Sequence, residues 1–511
     1  MQLHVSQSKE TPLIILSSRA LLSRRYGDKG FASIHEGLRQ LQNAIGLAQA
    51  ALVYVDDERT LAPYGVAPVS PKNPAAIRAL VEHLERNLSC GRSATLWIIG
   101  GHEVIPFFRL PNPADDPDDD ILSDAPYACL GADLYRPVRV VSRLPDFNPE
   151  RGATFVYASL AARRALSLAN LNPQVSFSKI LKRPASNEKP VRQSCGGYTA
   201  SVWREAAQEV FSLLESPTSL RMSPPWAARD YRQLRLAAAR IKYFNLHGKP
   251  DGAIWYGQRD PALAADYPDF PVALRQSDIA PADALGALVI TEACYGATLD
   301  QFSIADRFLH LGASLFLGST SMAYGAIAPP VTGADLLVKE FLRYLLAGAP
   351  AGQAYLAAKI AFMRAMMTEQ GFLDAEDQKT LLSFLLLGDP TLVLSDSHNH
   401  HGSAIEQPTA REELPEVVCA RAIPDSRPLR VQASLLDELE SLASSLLAGE
   451  AHLNCHCRQG TCKHLPMHRH CRLNPGGGEV VAFRHLLPTG AVRLAKFTLL
   501  EGRITKAAVS R

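Results

Sequence analysis

The chain has no long apolar run, no surplus of either charge and no regular cysteine pattern, and each lack removes a class of protein. No stretch approaches the roughly 20 consecutive apolar residues of a membrane-spanning helix; the run Leu381–Leu387 is too short and reads as a buried strand. Met1 to Glu10 is polar and lacks the apolar centre of a secretory signal. The 53 basic side chains are matched by 51 acidic ones, a net charge of +2, which offers neither nucleic acid nor an anionic membrane a reason to bind. The nine cysteines are spread unevenly over 511 residues, unlike a secreted disulfide framework. We therefore expect mostly free thiols and a cytoplasmic protein. No G-x-G-x-x-G or P-loop follows a strand, and Gly100-Gly101 alone does not argue for a nucleotide site. No repeat of solenoid length is evident.

What is present is ordinary globular material, 47% apolar and 20% charged. Its length exceeds what one core usually supports, so two or three folding units are expected. Pro12–Ser17, Ala51–Asp56, Thr95–Gly100 and Val138–Val141 read as strands covered on both faces. Pro74–Arg86 has helical apolar spacing, and Phe155–Leu168 reads as a helix. Asp115 to Asp120 holds five acids and reads as an exposed loop, as does the basic, Pro/Gly-containing segment Lys182–Gly197. A second α/β series follows: a helix over 201–215, strands at Ile241–Leu246, Ala287–Glu292 and Ala313–Gly318, helices Gly333–Leu346 and Gly352–Met366, then Phe384–Leu387, a tight turn and another strand ending at Leu394.

The predicted domains are an N-terminal α/β part (1–170), a second α/β part (171–396), a polar linker (397–415) and a small α+β unit (416–511). In the last, Ser434–Ala448 is helical, and Glu479–Phe483 with Val492–Leu499 form a hairpin through Pro488-Thr489-Gly490, with a short final strand after Glu501-Gly502. The fold class is α/β: open, mostly parallel sheets with helices on both faces.

Two segments stand out. Ile241-Lys-Tyr-Phe-Asn-Leu-His247-Gly248 and Ala287-Leu-Val-Ile-Thr-Glu292-Ala-Cys294-Tyr295-Gly296 are apolar runs ending in a reactive residue with glycine close behind. Ligands of open parallel sheets bind beyond the carboxyl ends of strands. A thiol is a modest nucleophile until an imidazole takes its proton. The two residues are 47 positions apart, room for one crossover between neighbouring strands. Gly248 allows close backbone approach, so the N–H groups of Gly248 and Cys294 are candidates for an oxyanion hole. Taken singly, a Cys at a strand end is more often a small buried hydrophobe, and a His before Gly a turn residue.

Asn245-Leu-His-Gly248 and Glu292-Ala-Cys-Tyr-Gly296 resemble the His-Gly and Ala-Cys motifs of clan CD cysteine peptidases, most of all the gingipain-type catalytic domain. Gly100-Gly-His-Glu-Val-Ile-Pro106, Ser123-Asp-Ala-Pro-Tyr127, Ser142-Arg-Leu-Pro145, Gly312–Ser319, Gly348–Ala354 and Leu387-Gly-Asp-Pro-Thr-Leu392 add to it. The resemblance spans about residues 10 to 395 and leaves out the C-terminal unit. It implies a caspase-like fold in two subdomains, Cys294 as nucleophile, His247 as general base and acid, a protein or peptide substrate and no catalytic cofactor. The activity so implied is that of an endopeptidase; gingipains are secreted with signal and pro segments, which this sequence does not show, so an intracellular regulatory or defence role is expected, with activation by a partner protein one option. The alternative is a catalytically silent scaffold of the same fold.

By the same resemblance the position two before the nucleophile lines the specificity pocket. Here it is Glu292, which favours Arg or Lys before the scissile bond; Asn is the option shared with legumains. Gingipains that cut after basic residues carry an acid in the loop corresponding to Gly196–Trp203, and this chain has none there. Tyr198, Trp203 and Tyr295 are further pocket candidates, with a core role the alternative for the first two. Residues 452–471 concentrate four of the nine cysteines and five of the fifteen histidines. Cys455, Cys457, Cys462 and one of His464, His468 or Cys471 are candidate ligands of a structural zinc. The spacing matches no standard CxxC pair, and an exposed polar loop with incidental cysteines is the other reading.

Overall fold

Ten short runs assemble into one sheet. The computed structural model describes residues 12–171 apart from 46–49, 90–93 and 147, residues 195–394 apart from 235, 237 and 238, and residues 417–419, 433–447, 452–453, 472–473, 479–486, 492–500 and 503–510. Its main strands, in chain order, are β1 (Leu13–Ser17), β2 (Ala50–Tyr54), β3 (Thr95–Ile99), β4 (Val140–Leu144), β5 (Cys195–Ala200), β6 (Arg221–Ser223), β7 (Ile241–Asn245), β8 (Leu288–Thr291), β9 (Leu315–Ser319), β10 (Tyr324–Gly325) and β11 (Phe384–Gly388). The sheet order is β2-β1-β3-β4-β11-β9-β8-β7-β5-β6. Every neighbouring pair is parallel except β9 with β11. The sheet is thus two parallel arrays of opposite direction. They meet at β11, which joins β4 through the single register pair Leu387–Arg143.

Helices α1 (Arg19–Ile45), α2 (Pro74–Ser89), α3 (Thr154–Leu171), α4 (Arg204–Phe211), α5 (Ile304–His310), α6 (Gly333–Leu346), α7 (Ala351–Glu369) and α8 (Ala375–Ser383) connect and cover the strands. Because both faces are covered, β1, β3, β7, β8 and β9 are buried along their whole length, which is why they read as continuous rather than alternating apolar runs. Alternation still sorts the side chains. Ile241, Tyr243, Leu288 and Ile290 pack with α4, α6 and α7. Phe244, Val289 and Phe316 pack on the other face against Ile304, Phe308 and Leu309 of α5.

The C-terminal unit is an antiparallel meander of β12 (Glu479–Leu486), β13 (Val492–Leu500) and β14 (Arg503–Ser510), covered by helix α9 (Ala433–Leu447). Leu439, Ala443, Leu446 and Leu447 close on Val481, Phe483, Phe497 and Val509. β14 is eight residues long, where a short strand was expected, because its far end pairs with β10 of the main body.

The α/β class with a large mostly parallel sheet holds, and three local expectations do not. The segment after Gly388 forms a turn, and the described residues 389–394 contain no strand. Leu392 and Leu394 are nevertheless buried, so the apolar run reflects burial without a ladder partner. Cys195–Gly197, assigned to the exposed basic segment, opens β5, where Gly197 lies against Phe211 and Leu220. The 115–120 acids do not form a fully exposed loop: Asp116 and Asp118 turn inward onto buried Lys379. The linker over 397–415 and the Pro488–Gly490 turn lie outside the described residues.

Candidate active site

β7 delivers His247 two residues past its end. The His247 backbone exchanges hydrogen bonds with Tyr256, 2.8 Å from its N–H to the Tyr256 carbonyl and 2.9 Å in return. That bridge holds the imidazole at the sheet edge, where Trp203 stands edge-on at 4.3 Å between ring centroids and Phe270 at 5.6 Å. Nε2 lies 2.8 Å from Gln258 Oε1. Since an amide oxygen only accepts, this contact selects the tautomer or charge state with a proton on Nε2.

β8 delivers Cys294 by a tight turn. Glu292 N–H still bonds to Phe244 O of β7, and Gly296 N–H bonds back to Ala293 O. Tyr295 between them has φ 55°, the only positive φ at a non-glycine among the described residues. Such a conformation costs of order 1–3 kcal/mol. It is held by Tyr295 N–H to Ser321 O at 2.9 Å and by the Tyr295 hydroxyl, which donates to Asp118 at 2.6 Å. Burial, and then the Asp118 carboxylate, keep this phenol protonated far above its ordinary range. The turn presents Cys294 Sγ to the N–H of Ala323 at 3.2 Å.

Gly248 joins the two strand ends. A Cβ on it would fall 1.7 Å from the Cys294 carbonyl oxygen, so no residue with a side chain fits without moving the Cys turn. The described chain thus packs the His-Gly corner directly on the Cys corner. Both reactive residues are buried, His247 to 7% and Cys294 to 2% exposure. Burial pushes the other described cysteines up, Cys129 and Cys195 to about 12 and Cys419 to about 11.

Carboxylates crowd the Cys side of the sheet. Glu292 is fully buried and accepts from the Tyr243 hydroxyl at 2.9 Å. Tyr243 leads through Asn245 to Asp335, whose second oxygen accepts the Ala326 N–H. Asp118 also accepts the Met322 N–H, and Asp116 accepts from Tyr324 at 2.8 Å. Lys379 reaches both acids at 2.6 Å. Although burial pushes Asp116 up, Lys379 and Lys496 hold it below the usual carboxylate value.

Of the expected site residues, His247, Gly248, Cys294 and Tyr295 come together, with Trp203 packed on the His247 ring. Glu292 is fully buried on the Leu288/Ile290 face of β8, where it accepts from the Tyr243 hydroxyl. Tyr198 is a correction. It is buried with Phe244 and Leu246 in the cluster on the opposite face from Cys294. Cys455, Cys457, Cys462, His464, His468 and Cys471 lie outside the described residues. Gln258 and the Ala323 N–H were missed. Gln258 carries no signal in sequence, whereas Asn245 had one, since it alternates with Tyr243 on the same strand.

Residues 240–395 match the profile described as Peptidase family C25. No curated protein matches the chain. Among solved structures, one titled "Structure of Protease" aligns at 11% identity with a TM-score of 0.48, over 99% of this chain and 91% of that one. The Arg-specific cysteine proteinase gingipain R aligns at 12% identity with a TM-score of 0.48, over 99% and 92%. The complex of Porphyromonas gingivalis RgpB pro- and mature domains aligns at 11% identity with a TM-score of 0.46, over 98% and 93%.

Proposed function

We propose, from the premise that residues 240–395 form a gingipain-type cysteine peptidase domain of clan CD, that the chain is an endopeptidase working through Cys294 and His247. Cys294 Sγ attacks the scissile carbonyl carbon while His247 accepts the thiol proton. The tetrahedral oxyanion is met by the N–H groups of Gly248 and Cys294. The C–N bond then breaks, the imidazolium protonates the leaving amine, and water hydrolyses the thioester with His247 again as base. The observation that carries this reading is the contact of Gly248 with the Cys294 carbonyl, which unites the two strand ends.

The substrate preference we propose is for Arg or Lys before the cleaved bond. Its support is the buried carboxylate of Glu292, two residues before Cys294 and held by the Tyr243 hydroxyl; Asp116 and Asp118 are already paired with Lys379. The burial of both reactive residues favours a second reading, a silent scaffold. One experiment separates them. Peptide ketone probes carrying Arg, Lys, Asn or Asp at the recognised position are incubated with the chain, and the adduct is mapped by mass spectrometry. Labelling at Cys294, fastest with Arg or Lys and absent in a folded Cys294→Ala variant, is expected. No adduct with any probe under any activating condition sinks the peptidase; fastest labelling with Asp sinks the basic preference.

A further inference from the structure

We infer that strand β14 of the C-terminal unit occupies the edge along which a substrate backbone lies, so that this unit shuts the site in cis. The inference rests on the proposed Cys294–His247 chemistry.

The edge is β10. Just before it, Ala323 N–H contacts Cys294 Sγ, so a chain paired with Tyr324 and Gly325 runs beside the nucleophile. Main-chain pairing of this kind is how extended peptides are commonly held. β14 takes that place, antiparallel, with Ser510 opposite Tyr324 and Val509 opposite Gly325. Val509 is fully buried and Ser510 nearly so. Ala508 and Leu494 of the C-terminal unit belong to the same apolar cluster as Cys294, Met322 and Ala323.

The His side is covered by the same unit. Gln258, whose oxygen meets His247 Nε2, donates from Nε2 to Leu446 O of α9 at 2.7 Å. The Arg493 guanidinium sits 5.1 Å over the Phe270 ring, which packs edge-on against His247. An extended peptide cannot pair with β10 while β14 is there.

Two lysines fasten the cover to the start of α8. Lys506 reaches Asp374 at 2.6 Å and Asp377 at 2.8 Å, and Lys496 pairs with Glu376. All five side chains are nearly or fully buried, so losing one lysine leaves acids uncompensated at the joint.

The test uses the full chain, wild type against Lys506→Glu. It reads the rate of Cys294 labelling by an Arg ketone probe and amide hydrogen exchange over residues 322–326. Faster labelling by about tenfold or more, with faster exchange, is expected. Faster exchange with labelling at the wild-type rate overturns the cover and leaves the dyad standing. Faster exchange with no labelling of either protein overturns the peptidase reading itself. Should Lys506→Glu not fold, Lys506→Met removes the charge without adding one, and the same outcomes decide.

Discussion

The ends of β3 and β4 and the ends of β7 and β8 lie at opposite edges of one sheet, because the two parallel arrays run in opposite directions. Their sequences are alike: Ile99-Gly100-Gly101-His102 at the first edge, Leu246-His247-Gly248 at the second. At the first edge the polar groups satisfy one another. Arg143 pairs with Asp124 through two nitrogens and donates to the carbonyls of Gly100 and Ile105. Gly101 N–H bonds to Asp146. His102 Nδ1 accepts the Phe107 N–H. At the second edge Gly248 seats the His247 corner on the Cys294 corner, with Gln258 on the imidazole and the Ala323 N–H on the thiol, and another unit covers both. A glycine after a buried strand marks a close approach in both places, by the Val104 side chain at Gly100 and by the Cys294 carbonyl at Gly248; the residues brought together are what differ.

Arg143→Met attacks the first edge. It leaves Asp124 buried without its cation and several carbonyls without a donor, a loss of about 3–5 kcal/mol, read as a lower urea midpoint. If the edges differ as described, probe labelling per folded molecule stays at the wild-type rate.

Gly248→Ala attacks the second edge. The methyl must displace the Cys294 carbonyl, an overpacking cost of about 1–3 kcal/mol. A shift of the Cys turn by an ångström lowers labelling of the folded protein by roughly a hundredfold. Full labelling in a folded Gly248→Ala protein would show that the corner is loose.

A pH-dependent effect sharpens what lies under the second edge. Lys242 of β7 is buried and donates to Leu236 O and Ala239 O, and burial lowers it from 10.5 to about 7. Its folded value is below its unfolded one, so between those values the unfolded chain binds more protons and stability rises with pH. The slope approaches at most about 1.4 kcal/mol per pH unit. Lys242→Met should flatten this rise between pH 7 and 9.5 in paired urea titrations of variant and wild type; an unchanged slope refutes the assignment.

Most strands were legible because burial on both faces writes them as unbroken apolar runs, and α6 was legible to the residue because its 3.6-residue pattern starts and stops cleanly. The His-Gly and Ala-Cys corners were legible for the same reason: an apolar run that stops at a reactive residue is visible locally. The acidic loop was misread because its cation, Lys379, is 263 positions from Asp116 and 261 from Asp118. The partner of Glu292 was not legible because Tyr243 belongs to a neighbouring strand 49 positions away. Periodicity reports what a residue sits on, and says nothing of which distant side chain meets it.

The local sequence alone determined the α/β class, most element positions and the pair His247 and Cys294 at strand ends, since each depends on patterns a few residues long. Tertiary structure decided the reversal of the sheet at β11, the seating of Gly248 on the Cys294 carbonyl, the inward turn of Glu292 and the placing of β14 against β10. Each is a pairing between distant segments, set by which buried backbone edges and charges must satisfy one another once the chain is packed.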